Sequence, residues 1–200
     1  VLILNLNLLI KPPMKSQLNE FFCRLVDFSD EELEEVKHFF SLKKFKKGDF
    51  LCVPGETAHE IGFILKGAFR VYYLVEGKES TRFLGCENAF ITSTPSFTTQ
   101  TPSTEYVEAL ENAELLMLSF QDLQKMYKLS HKWERVVRLL AEYSYVEQQQ
   151  RIYSLIALSA QERYESLVQS RPDLIQRVPQ YIIANYLGIS PETLSRIRKH

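Results

Sequence analysis

Arginine, lysine, glutamate and hydroxyl side chains recur at helical intervals at the end of the chain, between Gln180 and His200. Glu192 and Arg196 lie four residues apart, hence on one helix face, with Thr193, Ser195 and Lys199 beside them and Ser190 just ahead. A DNA major groove asks for these types. Arginine makes a bidentate contact to guanine, a carboxylate accepts from the cytosine amino group, and hydroxyls and lysine hold phosphates. A plainer reading has Glu192 offsetting a helix dipole and Arg196, Arg198 and Lys199 as a solvated helix end. The flanking pattern weighs toward groove reading. Ile183, Leu187, Ile189, Leu194 and Ile197 are spaced to converge on one small core, and Ala184 lets two helices cross closely. Gly188 supplies a left-handed residue to end the first helix, Ser190 is an N-cap, and Pro191 opens the second helix. The segment reads as a helix-turn-helix.

Composition bounds the rest. The chain has 200 residues, 45% of them hydrophobic, with a formal net charge of -1. That is enough to bury a substantial core, and any nucleic-acid affinity must come from a local patch. Charge is uneven: Asp27, Asp30, Glu31, Glu32, Glu34 and Glu35 cluster early, whereas Arg196, Arg198, Lys199 and His200 crowd the end. Cys23, Cys52 and Cys86 are far apart and odd in number, which suggests no disulfide framework or zinc site and fits reduced thiols in a cytoplasmic protein. His38, His59, His131 and His200 are isolated, so no metal site and no catalytic constellation is expected. Val1 to Ile10 is apolar but about half the length that spans a bilayer. Residues 1–13 read as a leader or extension ahead of a domain starting near Met14, with a peripheral strand or partner contact as the alternative.

Three segments follow. Leu18, Phe21, Phe22, Leu25 and Val26, then Leu33, Val36, Phe39 and Phe40, predict two short helices, the second started by Ser29 and the acids after it. From Lys43 to Leu118, short apolar runs are punctuated by Gly48, Gly55, Gly67 and Gly77, the spacing of a small all-β barrel or sandwich with positive-φ turns. The helical period returns at Ser130 and lasts to about Leu158. Trp133, Val136, Val137, Leu140 and Tyr143 form a stripe that can lie on its own barrel and also seam against a second copy. Ser159 to Pro179 reads as a helix and connection beneath the helix-turn-helix. The chain thus divides into 14–129, 130–158 and 159–200 after the first thirteen residues.

A glycine-punctuated β-roll, a long helix and a terminal helix-turn-helix, carried by Lys47-Gly48-Asp49, Pro54-Gly55-Glu56, Ile64-Leu65-Lys66-Gly67 and Gly188 through Lys199, resembles the Crp/Fnr family of bacterial transcription regulators. The resemblance implies an α+β fold. An N-terminal double-stranded β-helix of jelly-roll type serves as sensor, a long helix dimerises, and a winged-helix-like helix-turn-helix follows with its final wing truncated or missing. It also implies a homodimer on a pseudo-palindromic duplex, RNA polymerase as a further partner, and no membrane. By position Glu192 and Arg196 match the family's base-reading residues, while Pro191 stands where some members carry another arginine.

The effector pocket departs further. Cyclic-nucleotide binders of the family hold the ribose with a Gly-Glu pair and the phosphate with an Arg-Ser or Arg-Thr pair. The matching positions here are Gly85 and Glu87, with Cys86 inserted, and Ser103 and Thr104, without arginine. No lysine or arginine occurs from Phe83 through Gln124, whereas Glu87, Glu105, Glu108, Glu111 and Glu114 all do. A buried phosphate without a paired cation is costly, so the usual cyclic nucleotides are expected to bind poorly. Arg70, Arg82, Arg135 and Arg138 are the cations able to fold back. The hydroxyls from Thr92 to Thr104 suit either a turn-rich loop or a neutral polar ligand. No cofactor is indicated beyond an unidentified small-molecule effector. The expectation is a non-catalytic, dimeric DNA-binding regulator with an altered sensor. The competing readings are a cupin-like small-molecule-binding roll and a dimeric interaction module without DNA affinity.

Overall fold

The computed structural model describes residues 14–199. The readings of residues 1–13 and of His200 lie outside the described residues. Two short helices open the described chain, α1 (Met14–Leu25) and α2 (Asp30–Val36). Ser29 starts α2 as expected, in a capping box: its Oγ accepts from the Glu32 N–H at 3.3 Å, and Glu32 Oε2 accepts from the Ser29 N–H at 2.8 Å.

Eight strands follow: β1 (Phe40–Phe45), β2 (Phe50–Cys52), β3 (Glu60–Lys66), β4 (Phe69–Val75), β5 (Lys78–Gly85), β6 (Phe90–Ile91), β7 (Tyr106–Ala109) and β8 (Ala113–Ser119). They form two antiparallel four-stranded sheets, ordered β1-β8-β3-β6 and β2-β7-β4-β5. Phe63, Ile64, Phe69, Val107 and Leu115 are fully buried in the principal core, and β3 is buried on both faces from Gly62 to Leu65. All four turn glycines have positive φ, as the punctuation predicted.

Three elements differ from the sequence reading. Phe40, placed in a helix by its spacing, instead starts β1 opposite Leu118, because ladder pairing outweighs local period. The hydroxyl-rich stretch contains a helix, α3 (Thr94–Thr99), where the sequence offered a loop or ligand contacts. The long helix is preceded by α4 (Phe120–Leu129), whose Leu123 and Met126 are buried on the roll. Ser130 breaks α4 with extended backbone and caps α5 (His131–Ala157), its Oγ accepting from the Lys132 N–H at 3.3 Å.

The C-terminal part comprises α6 (Ala160–Ser170), α7 (Pro172–Arg177), α8 (Gln180–Leu187) and α9 (Pro191–Ile197). Its core, built on Leu167, Leu174, Val178, Ile182, Ile183, Leu187 and Leu194, is continuous with Ala68, Leu84, Cys86 and Leu110 of the roll. The result is an α+β molecule in which the terminal helices rest against one end and edge of the β-roll.

Candidate nucleic-acid interface and sensor pocket

Gly188 ends α8 in the left-handed conformation (φ 67°), and its N–H bonds back to the Asn185 carbonyl at 3.0 Å. Ser190 then caps α9 with Pro191 at the first turn, its Oγ accepting from the Thr193 N–H at 3.2 Å. Ala184 is fully buried where the helices cross, and Leu194 is 1% exposed. Of the residues predicted to converge, Ile183, Leu187 and Leu194 are buried, whereas Ile189 and Ile197 are half-buried; Ile182, not predicted, is buried too. Glu192, Ser195, Arg196, Arg198 and Lys199 are exposed. Ser190 is exposed but its hydroxyl serves the cap, and Thr193 is half-buried with its Oγ1 accepting from Ser190. The Glu192 carboxyl lies below its ordinary range because nearby backbone N–H and the Ser190 hydroxyl favour the charged form.

The helix pair is held from three sides. Arg151 of α5 donates to the Tyr186 carbonyl and stacks on the Tyr186 ring at 3.9 Å, and Arg163 of α6 donates to the Leu187 carbonyl at 2.9 Å. Two guanidiniums thus satisfy the free carbonyls at the end of α8, where the helix dipole is negative. On the third side Asn185 acts as a pseudo-strand. Its Nδ2 donates to the Glu79 carbonyl at 2.6 Å and its Oδ1 accepts from the Thr81 N–H, covering the edge of β5.

Glu87, predicted to face an effector, turns instead to the terminal helices. It accepts from Arg177 of α7 at 2.6 and 2.9 Å and from the Gly67 N–H at 2.9 Å, while Arg177 also reaches Glu111. Burial works to raise its pKa, but Arg177 and the Gly67 N–H outweigh that and hold it below the ordinary carboxylate range. Beside it, Cys86 Sγ donates to Asp173 at 2.6 Å and accepts from Arg171 at 2.9 Å. Burial first and Asp173 second push the Cys86 thiol up to about 11, so it stays protonated.

Gly85 is buried and extended in β5, and Ser103 and Thr104 diverge, the first buried and the second exposed. Ser103 meets Ser93, which the sequence left among undifferentiated hydroxyls. Ser103 Oγ donates to Ser93 Oγ at 2.9 Å, and Ser93 Oγ donates to the Glu105 carboxylate at 2.8 Å. Arg82 Nε donates to the same carboxylate at 2.7 Å. Tyr73 lies close by, its phenol pushed up by burial and by Glu105. Arg70, the other strand arginine, is spent on the opposite sheet face, pairing with Glu79 and Glu108 at 2.5 and 2.7 Å and stacking on Tyr72. Arg138 pairs with Glu142 on the surface of α5, and Arg135 is exposed. Among the described residues no group of three or more His, Cys, Asp or Glu side chains is arranged to hold a metal ion.

The predicted seam is corrected at its start. Trp133 and Val136 are each 2% exposed in this chain's own core, Trp133 stacking on Phe28 at 4.3 Å and meeting Phe22 edge-on at 5.1 Å. A face already filled by Phe22 and Phe28 has no area left for a second chain. Val137 and Leu140 are half-buried, and Tyr143 is exposed. Beyond it α5 leaves the roll, and Tyr145, Val146, Ile152, Tyr153 and Ile156 are exposed. No described helix is long and apolar enough to cross a membrane.

Comparison with known proteins agrees with this layout. Residues 42–130 match the family model described as the cyclic nucleotide-binding domain. No curated protein sequence matches the chain. Among solved structures, FixK2 from Bradyrhizobium japonicum superposes with a TM-score of 0.69 at 16% identity, covering 80% of this chain and 83% of that one. A protein from Eubacterium rectale described as a transcriptional regulator of the Crp/Fnr family gives 0.69 at 16% identity, over 90% and 86% of the two chains. The c-di-GMP responsive global regulator CLP of Xanthomonas campestris gives 0.66 at 16% identity, over 86% and 90%. At such identities the likeness speaks for the fold. With a cyclic-nucleotide-binding-like roll, a long helix and a terminal helix pair in that order, the chain shares the fold of these solved structures, one of which is described as a regulator of the Crp/Fnr family.

Proposed function

We infer that this protein is a sequence-specific DNA-binding transcription regulator that acts as a homodimer in the cytoplasm, by binding rather than catalysis. The observation that carries the reading is the two-sidedness of α9: Leu194 is 1% exposed, whereas Glu192 and Arg196 stand exposed. A short helix anchored on one side and charged on the other suits insertion into a major groove. Arg196 reads guanine, Glu192 reads the cytosine amino group, and Ser195 and Lys199 hold phosphates, with Ser190 and Thr193 acting mainly through the cap. The seam runs along α5 from Val137 and Leu140 through Tyr143 toward Ile156. Residues 14–129 act as sensor, 130–158 as dimer helix and 159–200 as DNA-binding part, with RNA polymerase as a further partner. Effector binding between roll and α5 shifts the population of dimers whose recognition helices match successive grooves. Cyclic AMP is not bound in the usual way, since Ser103 brings no cation and Glu87 is spent on Arg177.

Titration of the protein against duplex DNA at two salt concentrations tests this. Affinity is expected to fall steeply with salt, as phosphate contacts release counterions. Salt-independent or absent binding would leave the interaction-module reading in its place.

A further inference from the structure

We propose that Glu105 is a built-in anion that fills the polar centre of the sensor roll and closes it to acidic effectors. In the pairing of β4 with β5, Val71 faces Phe83 and Tyr72 faces Thr81, so Arg82 is the extra residue of a bulge. A bulge leaves its extra residue outside the ladder and re-aims the side chain. Here the guanidinium is carried to Glu105, its Nε donating to Oε1 at 2.7 Å and its second amino group lying 3.4 Å from Oε2. The Glu105 side chain is 1% exposed, and that of Arg82 is 29% exposed. Glu105 directly precedes β7 and shares its inward face with Val107 and Ala109, both fully buried.

A buried carboxylate at a strand start is costly unless every oxygen is satisfied. Both oxygens have a donor, Arg82 Nε on Oε1 at 2.7 Å and Ser93 Oγ on Oε2 at 2.8 Å, while Ser103 Oγ accepts from the Glu105 backbone N–H at 2.9 Å. A guanidinium and a hydroxyl donor converging on a sealed negative group are what a bound phosphate or carboxylate ligand would require. The chain supplies the negative group itself. An incoming anion would have to displace a tethered carboxylate from Arg82, the only cation paired with it among the described residues, and would meet a site of no net positive charge.

This inference rests on the roll being the sensor of the proposed regulator, but not on DNA binding, and its test uses no DNA. Thermal unfolding of the full chain is followed with and without formate or inorganic phosphate, for wild type, Glu105→Ala, and Arg82→Ala combined with Glu105→Ala. Emptying the site takes from Arg82 its carboxylate and from the Ser93 hydroxyl its acceptor. Glu105→Ala is therefore expected to unfold at lower temperature than the double variant, and to regain about 2–4 °C with formate or phosphate. Wild type and the double variant should show no such gain. If Glu105→Ala fails to fold, Glu105→Ser, whose shorter polar side chain leaves the place of the carboxylate vacant beside Arg82, should show the same anion-dependent rise. Stabilisation of wild type by either anion, or no anion response in both single variants, would overturn the proposal. Loss of DNA binding alone would count against the regulator reading and leave this one intact.

Discussion

At α9, a change of one side chain should change one base preference. Arg196→Ala removes an exposed guanidinium without touching Leu194, so folding is expected to be unaffected. Discrimination at one base pair per half-site should fall by about 1–3 kcal/mol. A site preference identical to wild type would take the base-reading role from Arg196. At the roll's end the test is one of pH. Glu87 and Asp173 are both held below their ordinary carboxylate pKa. Burial opposes this, while the paired groups, Arg177 for Glu87 and Cys86 and Arg171 for Asp173, outweigh it. A lowered folded-state value means that their stabilisation is complete above about pH 4 and is lost as the pH falls through the folded value. Glu87→Gln should therefore cost about 1–2 kcal/mol at neutral pH, a partly exposed pair being discounted, and the gap from wild type should close in acid. A gap that stays constant in urea titrations from pH 7 to pH 3 would contradict the assignment. Asn185→Ala offers a third check, since it bares the Glu79 carbonyl and Thr81 N–H at the edge of β5. Amide exchange at Thr81 should accelerate while that of Leu115 in the core does not, and equal rates in both proteins would show that α8 does not cover the edge.

Among the elements, α5 carries the main prediction. Its first turns are spent on Phe22 and Phe28, and its later turns display Tyr143, Val146, Tyr153 and Ile156, the last 80% exposed. Placing a charge there, as in Ile156→Glu, should shift sedimentation from dimer toward monomer and leave the roll folded, because no buried contact of the chain depends on it. An unchanged dimer would move the seam elsewhere. This helix also shows how far the sequence could be read. Its length, the caps at Ser29 and Ser190, the turn glycines and the helix-turn-helix spacing were legible because each rests on local chemistry within a few residues. What escaped depends on partners far along the chain. Trp133 reads as a seam residue until Phe28 is seen covering it. Phe40 reads as helical until Leu118 pairs with it. The pocket was legible only in part. The lack of a lysine or arginine from Phe83 to Gln124 was plain, and Arg82 was one of several cations in reach. Only the bulge at Arg82 selects it for Glu105, and only the fold joins Ser93 to Ser103 and sends Glu87 to Arg177.

For the molecule as a whole, the terminal helices are coupled to the roll rather than tethered beside it. Asn185 clasps β5, Arg177 joins Glu87 and Glu111, and one apolar cluster runs from Leu84 to Leu194. In the regulator proposed above, a rearrangement of the roll would reach α9 through these packed contacts. Two copies joined along α5 would present two such faces related by a two-fold axis, and the duplex they recognise must share that symmetry. Selection of binding sites from a random duplex pool by the full chain examines recognition, symmetry and spacing together. Enrichment is expected for inverted half-sites with centres about one helical turn apart, roughly 10–10.5 base pairs, or a multiple of it. A pool that emerges unenriched, or enriched for single asymmetric sites, would contradict it.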